Sequence, residues 1–233
     1  MSFKLISFDL DDTLWHTAPT LERAEHRTEQ WLKTNAPLIY QQFDSDSLRK
    51  RRWNLLKERP DLKHHISEWR RLSLQIVCEE VGYSSSDALT ISDGAMDCFL
   101  TARQDVELFP HAQAMLAELS ERYTLIGLTN GNARLEETVI GGFFQAHLRA
   151  ETVGESKPGP RMFIEALKLA NCEPQECVHV GDDWTNDCEA AAKLGIQPVQ
   201  TALLGQEPFD GVPCIRQLSE LPHLINQLER RTH

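Results

Sequence analysis

The chain has 233 residues, 24 of them Lys or Arg against 35 Asp or Glu, for a net charge of −11. That length holds one large domain or a medium one with an insert, and the acidic balance weighs against nucleic acid, whose phosphates need a basic stripe. At 41% hydrophobic and 25% charged the composition is globular; no apolar run approaches a membrane span and no basic-then-apolar leader opens the chain, so a cytoplasmic protein without a membrane partner is expected.

Phe3 to Asp9 predicts a short buried strand that ends in a carboxylate and is broken by Asp11-Asp12-Thr13. From Thr17 to about Arg103 glycine almost vanishes and apolar residues recur at helical spacing, as at Ile66, Trp69, Ser73, Ile76 and Val77. This stretch predicts an insert of about four helices, punctuated by Pro37, Arg59-Pro60-Asp61 and Gly82. Strands and helices then alternate. Helix is expected over Ala112 to Arg122, strand over Tyr123 to Thr129, a turn at Asn130-Gly131-Asn132 and a further helical stretch. A short strand is expected around Arg149 to Val153, a loop from Gly154 to Pro160 and a helix from Arg161 to Ala170. Strand Glu176 to Val180, loop Gly181 to Thr185, helix Asn186 to Leu194, strand Pro198 to Ala202 and helix Leu218 to Leu228 complete the pattern. Such alternation implies an α/β fold with a parallel sheet covered on both faces. The expected division is residues 1–16 with 104–233 as the core and 17–103 as a helical domain. Six cysteines, none in a Cys-x-x-Cys pair, are expected as reduced thiols and not as a zinc site.

Ligands of open parallel sheets bind beyond the C-terminal strand ends. Asp9, Thr129 and Asp182 stand at such ends, and Lys157 lies in a loop after the weaker strand. Asp9 and Asp11, two residues apart as the strand runs out, suit attack on phosphorus by one carboxylate and proton transfer by the other, held protonated by mutual repulsion. Attack is assigned to Asp9 and acid/base work to Asp11; the bland alternative is an acidic turn capping a helix. Thr129 offers a hydroxyl, and the turn at Asn130 and Gly131 can aim backbone N–H groups at a phosphate oxygen. Lys157, in a proline-bounded loop, suits a fixed cation on the transferring group. Asp182 is the expected magnesium ligand with Asp9, and Asp187 either completes that carboxylate set or orients waters or Lys157. His179, between two valines, is expected to be a satisfied core histidine.

Asp-x-Asp-x-Thr at 9 to 13, Thr129, Lys157-Pro158 and Gly-Asp-x-x-x-x-Asp at 181 to 187 resemble, in order and position, the four motifs of the haloacid dehalogenase-like hydrolase superfamily. The resemblance spans nearly the whole chain. It implies a Rossmann-like core, a mobile helical cap that closes, and Mg2+ held by Asp9, Asp182 and the Asp11 backbone carbonyl. Phe-Asp-Leu-Asp-Asp-Thr-Leu, Leu-Thr-Asn-Gly-Asn, Ser-Lys-Pro and His-Val-Gly-Asp-Asp look similar to bacterial flavin mononucleotide phosphatases with this cap type, which act on flavin mononucleotide and a phosphorylated ribitylaminouracil precursor of riboflavin. Haloacid dehalogenases have no acid at the position of Asp11, so the resemblance favours hydrolysis of a small phosphate ester. A sugar-phosphate or nucleotide phosphatase is the alternative, followed by a 2-haloacid dehalogenase or an inactive binding protein. Trp15-His16 is expected to line the entrance, with Trp15 a neighbour of the substrate, and Trp53, Trp69, Arg70 and Arg71 are cap candidates. Nothing calls for an oligomer, and a monomer is compatible with the sequence.

Overall fold

A computed structural model describes residues 2–231. The chain separates into two compact units, residues 1–17 with 106–233, and residues 18–105; the boundaries lie one and two residues beyond the expected 17–103.

In the first unit β1 (Leu5–Phe8) is followed, beyond the other unit's helices α1 (Thr17–Asn35), α2 (Pro37–Gln42), α3 (Ser45–Glu58), α4 (Ile66–Glu80) and α5 (Ser85–Arg103), by α6 (Ala112–Ser120) and β2 (Thr124–Thr129). Then come β3 (Ala146–Arg149), α7 (Ala150–Val153), α8 (Arg161–Ala170), β4 (Cys177–Gly181), α9 (Ala190–Lys193), β5 (Gln197–Thr201), β6 (Cys214–Ile215) and α10 (Leu221–Arg231). The sheet is parallel throughout, in the order β3-β2-β1-β4-β5-β6. Every side chain of β1 is buried, as a central strand covered on both faces requires. Ile6 and Phe8 join the cluster with Met115, Leu116, Leu221 and Ile225 of α6 and α10. Leu5 alternates to the opposite face, against Met162, Phe163 and Ala166 of α8. The chain leaves β1 towards β2 on one side and reaches β4 on the other, so β1 marks the switch point of the sheet.

Several expectations are corrected. The strand expected at Arg149 to Val153 lies earlier, at Ala146–Arg149, and a helical turn occupies Ala150–Val153; as an edge strand it is half-buried along its length and carries no alternation to read. The helical stretch after Asn132 reduces to 3-10 turns at Leu135–Glu137 and Gly141–Phe143, where β-branched Thr138, Val139 and Ile140 and then two glycines disfavour a longer helix. The helix expected from Asn186 opens instead as a π turn over Trp184–Glu189. β6, only two residues long, was not anticipated by pattern.

The second unit has five α-helices and a 3-10 turn, Pro60–His64, where about four helices were expected. The extra break falls at Phe43-Asp44, where the Asp44 carboxylate accepts the Ser47 N–H (2.8 Å) and caps α3. Trp69, Ser73 and Val77 form the buried stripe of α4, as their spacing predicts. Trp69 packs with Leu55 and Leu62 and donates its Nε1 proton to the Arg52 carbonyl at 2.6 Å, while Trp53 is 56% exposed and meets Trp69 edge-on. Among the described residues no helix is long and apolar enough to cross a membrane, and all six cysteines are free.

Asp44→Ala removes the side-chain cap of α3, and a loss of about 1 kcal/mol is expected. The denaturant midpoint of the full chain reads it; an unchanged midpoint means the cap contributes nothing.

Candidate active site

Three adjacent strands, β2, β1 and β4, deliver their C-terminal ends side by side, with Phe8 in register with Gly127 on one side and Val180 on the other. One residue beyond Phe8, Asp9 donates its N–H to the Val180 carbonyl (2.8 Å), which ties it to β4. A cavity of about 140 Å3 opens here onto Asp9, Asp11, Thr129, Lys157 and Asp182.

The centre of the arrangement is Lys157. Its Nζ, with the side chain 1% exposed, donates to Asp9 Oδ1 (2.7 Å) and Asp187 Oδ1 (2.6 Å). Burial opposes the charge, but the two carboxylates outweigh it and hold the ammonium above its usual range. Asn130 fixes the backbone beneath: its Nδ2 donates to the Lys157 carbonyl (2.9 Å) and its Oδ1 accepts the Lys157 N–H (2.7 Å). The expectation for Asn130 concerned its backbone N–H; its side-chain amide is committed to the lysine loop. Gly131, expected to offer its N–H to a phosphate, donates it to Thr129 Oγ1 at 2.9 Å. Both still line the cavity.

Asp187 is buried on the π turn. Burial raises its pKa, but Lys157 and His179 outweigh that and keep it well below the carboxylate range. Oδ1 serves Lys157 and His179 Nε2 (3.1 Å), and Oδ2 accepts the Asp183 N–H (3.1 Å). Both oxygens are so engaged, a placement compatible with either of the two roles expected of it. Gly181 makes room for this carboxylate, because a Cβ there would overlap Asp187. His179 is fully buried, and burial lowers its pKa. A neutral ring facing a carboxylate carries its proton on Nε2, which leaves Nδ1 to accept from Ser7 Oγ (2.9 Å). It is a satisfied core histidine, as expected, yet it stands directly behind Asp187. Sequence reasoning missed that link, and Ser7 with it; their only signal was two polar residues inside apolar strands.

Trp15 requires a correction. It is fully buried, and its Nε1 donates to Asp11 Oδ1 (2.8 Å), which also accepts from Thr17 Oγ1 (3.0 Å). A ring packed among Leu10, Leu14 and Phe8 has no face to offer a substrate, so Trp15 orients Asp11 instead. Asp12, at φ 60°, turns away and accepts the Thr17 N–H (2.8 Å). The expected mutual repulsion of Asp9 and Asp11 also differs in source. Burial, opposed by Lys157 and reinforced by Asp187 and Asp182, raises Asp9.

Asp182 receives a contact from Thr13 Oγ1 at 3.4 Å; burial, then Asp187 and Asp12, push it up to about 7. Carboxylate oxygens of Asp9, Asp182 and Asp187 lie within 4.8 Å of one another. Three acids thus share one ammonium, and Asp9 and Asp182 carry the uncompensated charge as raised pKa values. An all-oxygen donor set with excess negative charge fits a hard divalent cation such as Mg2+.

Residues 3–195 match the family model described as haloacid dehalogenase-like hydrolase. The 5-amino-6-(5-phospho-D-ribitylamino)uracil phosphatase YigB of Escherichia coli is 30% identical over 82% of this chain and 80% of its own. The glyceraldehyde 3-phosphate phosphatase of Pyrococcus furiosus is 27% identical over 97% of this chain and 93% of its own. A crystal structure of a 2-haloacid dehalogenase from Pseudomonas syringae superposes with a TM-score of 0.92 at 36% identity, covering 97% of this chain and 99% of that one.

Two outcomes are expected. Gly181→Ala forces Asp187 off its partners, and a destabilisation of about 1–3 kcal/mol is expected in chemical denaturation; wild-type stability would mean Asp187 moves freely. In chelator, the folded chain keeps a proton on Asp182 up to about 7 that the unfolded chain loses near 3.8. Stability therefore falls as pH rises between those values. Asp182→Asn should flatten the slope and stabilise the metal-free chain at pH 8 by on the order of 1–3 kcal/mol. Melting temperatures in chelator at pH 5 and 8 measure this, and equal slopes in both proteins would contradict it.

Proposed function

The chain belongs to the haloacid dehalogenase-like hydrolases, and from that membership and the site geometry we propose that it is a Mg2+-dependent phosphatase of small metabolites working through an aspartyl-phosphate on Asp9. Asp9 attacks phosphorus with one carboxylate oxygen, and the P–O bond to the leaving alcohol breaks in line. Asp11, oriented by Trp15 and Thr17, gives its proton to the departing alkoxide. The same carboxylate then takes a proton from the water that attacks the aspartyl-phosphate, which releases phosphate and restores both acids. Lys157 Nζ and the Thr129 hydroxyl hold phosphoryl oxygens, Lys157 kept in place by Asp187 and Asn130. Asp9, Asp182 and the Asp11 carbonyl would hold Mg2+, which supplies positive charge to keep Asp9 ionised and to draw the phosphate in.

The observation that carries this reading is the Asp11 carboxyl, fixed beside Asp9 by two donors on the same cavity. Cleaving a carbon–halogen bond releases a halide that needs no proton, so a held acid there has work only when the leaving group is an alkoxide. The similarity to YigB supports a ribityl phosphate of riboflavin metabolism, the uracil precursor or flavin mononucleotide, as substrate. The similarity to the Pyrococcus enzyme supports a triose phosphate as the second choice.

A panel of flavin mononucleotide, the ribitylaminouracil phosphate, nucleoside monophosphates, and hexose and triose phosphates tests this, with Mg2+ and with chelator. Release of phosphate should require Mg2+ and vanish in Asp9→Asn. Asp11→Asn should lose about 10²–10⁴-fold in steady state on alkyl esters, whereas the first-turnover burst of 4-nitrophenol from 4-nitrophenyl phosphate, whose leaving group needs no proton, should survive. No hydrolysis of any ester, with halide release from 2-haloacids, would replace this reading by the dehalogenase one that the Pseudomonas structure favours.

A further inference from the structure

The helical unit, residues 18–105, encloses a cavity of about 120 Å3 between α1, α3, α4 and α5. A single water needs only about 10–15 Å3 by the same measure, so there is room for a small organic molecule. Two guanidinium groups on its wall, Arg52 and Arg70, converge on one carboxylate oxygen, Oε1 of Glu25. Their side chains are only 19% and 18% exposed. The Nε of each is buried without a hydrogen-bond partner among the described residues.

The local charge does not balance. Glu25 is held below its usual range because Arg70 and Arg52 outweigh the effect of burial, yet it is one carboxylate for two guanidinium groups. Burial foremost, then Arg52, pulls Arg70 down to about 10, where Glu25 only partly restores it. Arginine resists such loss more than any other side chain, so the cluster stays cationic at neutral pH. A buried network retained for packing alone would be expected to satisfy its donors, since each unmet buried group is costly. The other basic residues on the wall differ: Arg49 and Arg71 are paired with Asp46 and Glu68. The apolar part of the wall includes Phe99, Met96 and Leu74. The Arg70 guanidinium lies 3.9 Å from the centre of the Phe99 ring, a stacking that holds the group flat without using its N–H donors. Forked donors beside an apolar surface are the combination that binds an oxyanion with an apolar body.

We propose that residues 18–105 carry an anion-binding pocket of their own, in which Arg52 and Arg70 take the carboxylate or phosphate head of a small organic anion whose body rests on Phe99 and Met96. It stands whether or not the phosphatase reading does.

The test is calorimetric titration of the full chain, in chelator, with phenylphosphonate and with benzoate. The first has a carbon–phosphorus bond that a phosphomonoesterase does not cleave, and the pair separates phosphate-type from carboxylate-type ligands. One-to-one saturable binding of at least one probe is expected. It should weaken at least tenfold in Arg52→Gln and in Arg70→Gln, and about threefold or more in Phe99→Leu. Glu25→Gln should tighten it, because the competing carboxylate is gone, and Asp9→Asn should leave it within twofold. Should an arginine variant fail to fold, Glu25→Gln and Phe99→Leu decide, with the fluorescence of Trp69, bonded to the Arg52 carbonyl, as a second readout on wild type. Absence of saturable binding of either probe, binding that ignores Arg52→Gln, or weaker binding in Glu25→Gln would overturn the proposal.

Discussion

The ammonium of Lys157 sits where water cannot reach it, and three segments distant in sequence depend on it. It joins Asp9 at a separation of 148 residues and Asp187 at 30. Stripping water from a cation and two carboxylates costs several kcal/mol per ion, and only close mutual contact offsets it. The surroundings keep that contact close. Asn130 pins the lysine backbone from both its N–H and its carbonyl, and His179 with the Asp183 N–H pins Asp187. Ser7 stands behind His179. Removing one member therefore strands a buried charge rather than deleting one bond, so the chain of contacts behaves as a unit.

Identical side chains acquire different roles from this arrangement. Asp187, with donors on both oxygens, stays ionised and serves as an anchor. Asp9 shares the same ammonium but has fewer donors and acidic neighbours, so its charge is poorly compensated. Asp182, further from Lys157 and nearer to Asp12, is in the same condition. All three carboxylates line one cavity, and the anchored one has donors on both of its oxygens. Environment, rather than residue type, separates the groups able to meet a cation from the group that holds the scaffold.

What could be read from the sequence follows from how each feature is encoded. Buried parallel strands are continuous apolar runs, so β1, β2 and β4 were legible to within a residue or two, and with them the positions of Asp9, Thr129 and Asp182. The break at Gly195 and the helix at Arg161 follow from glycine and proline chemistry in the same direct way. β3 and β6 gave no such run, because an edge strand half in water and a two-residue strand leave no pattern. The π turn was illegible for another reason: Asp187 is drawn in by Lys157, a contact between distant segments that overrides local preference. Trp15 shows the same limit, since an indole beside a catalytic motif reads as a ligand platform until its burial and its bond to Asp11 are known. Asn130 likewise reads as a turn residue until its partner, Lys157, is in place.

The net charge of −11 describes the chain as a whole and not the cavity at the strand ends or the one in the helical unit. In one cavity three aspartates share a single lysine, and a cation is called for. In the other, the wall carries Arg49, Arg52, Arg70 and Arg71 against Glu25 and Glu29, so the excess is positive inside an acidic protein. Surface charges spread over the helices are screened within about 10 Å at ordinary salt, whereas charges buried beside each other are not. The sign of a pocket is therefore set by the few groups that share its walls, and composition says nothing against an anion bound indoors.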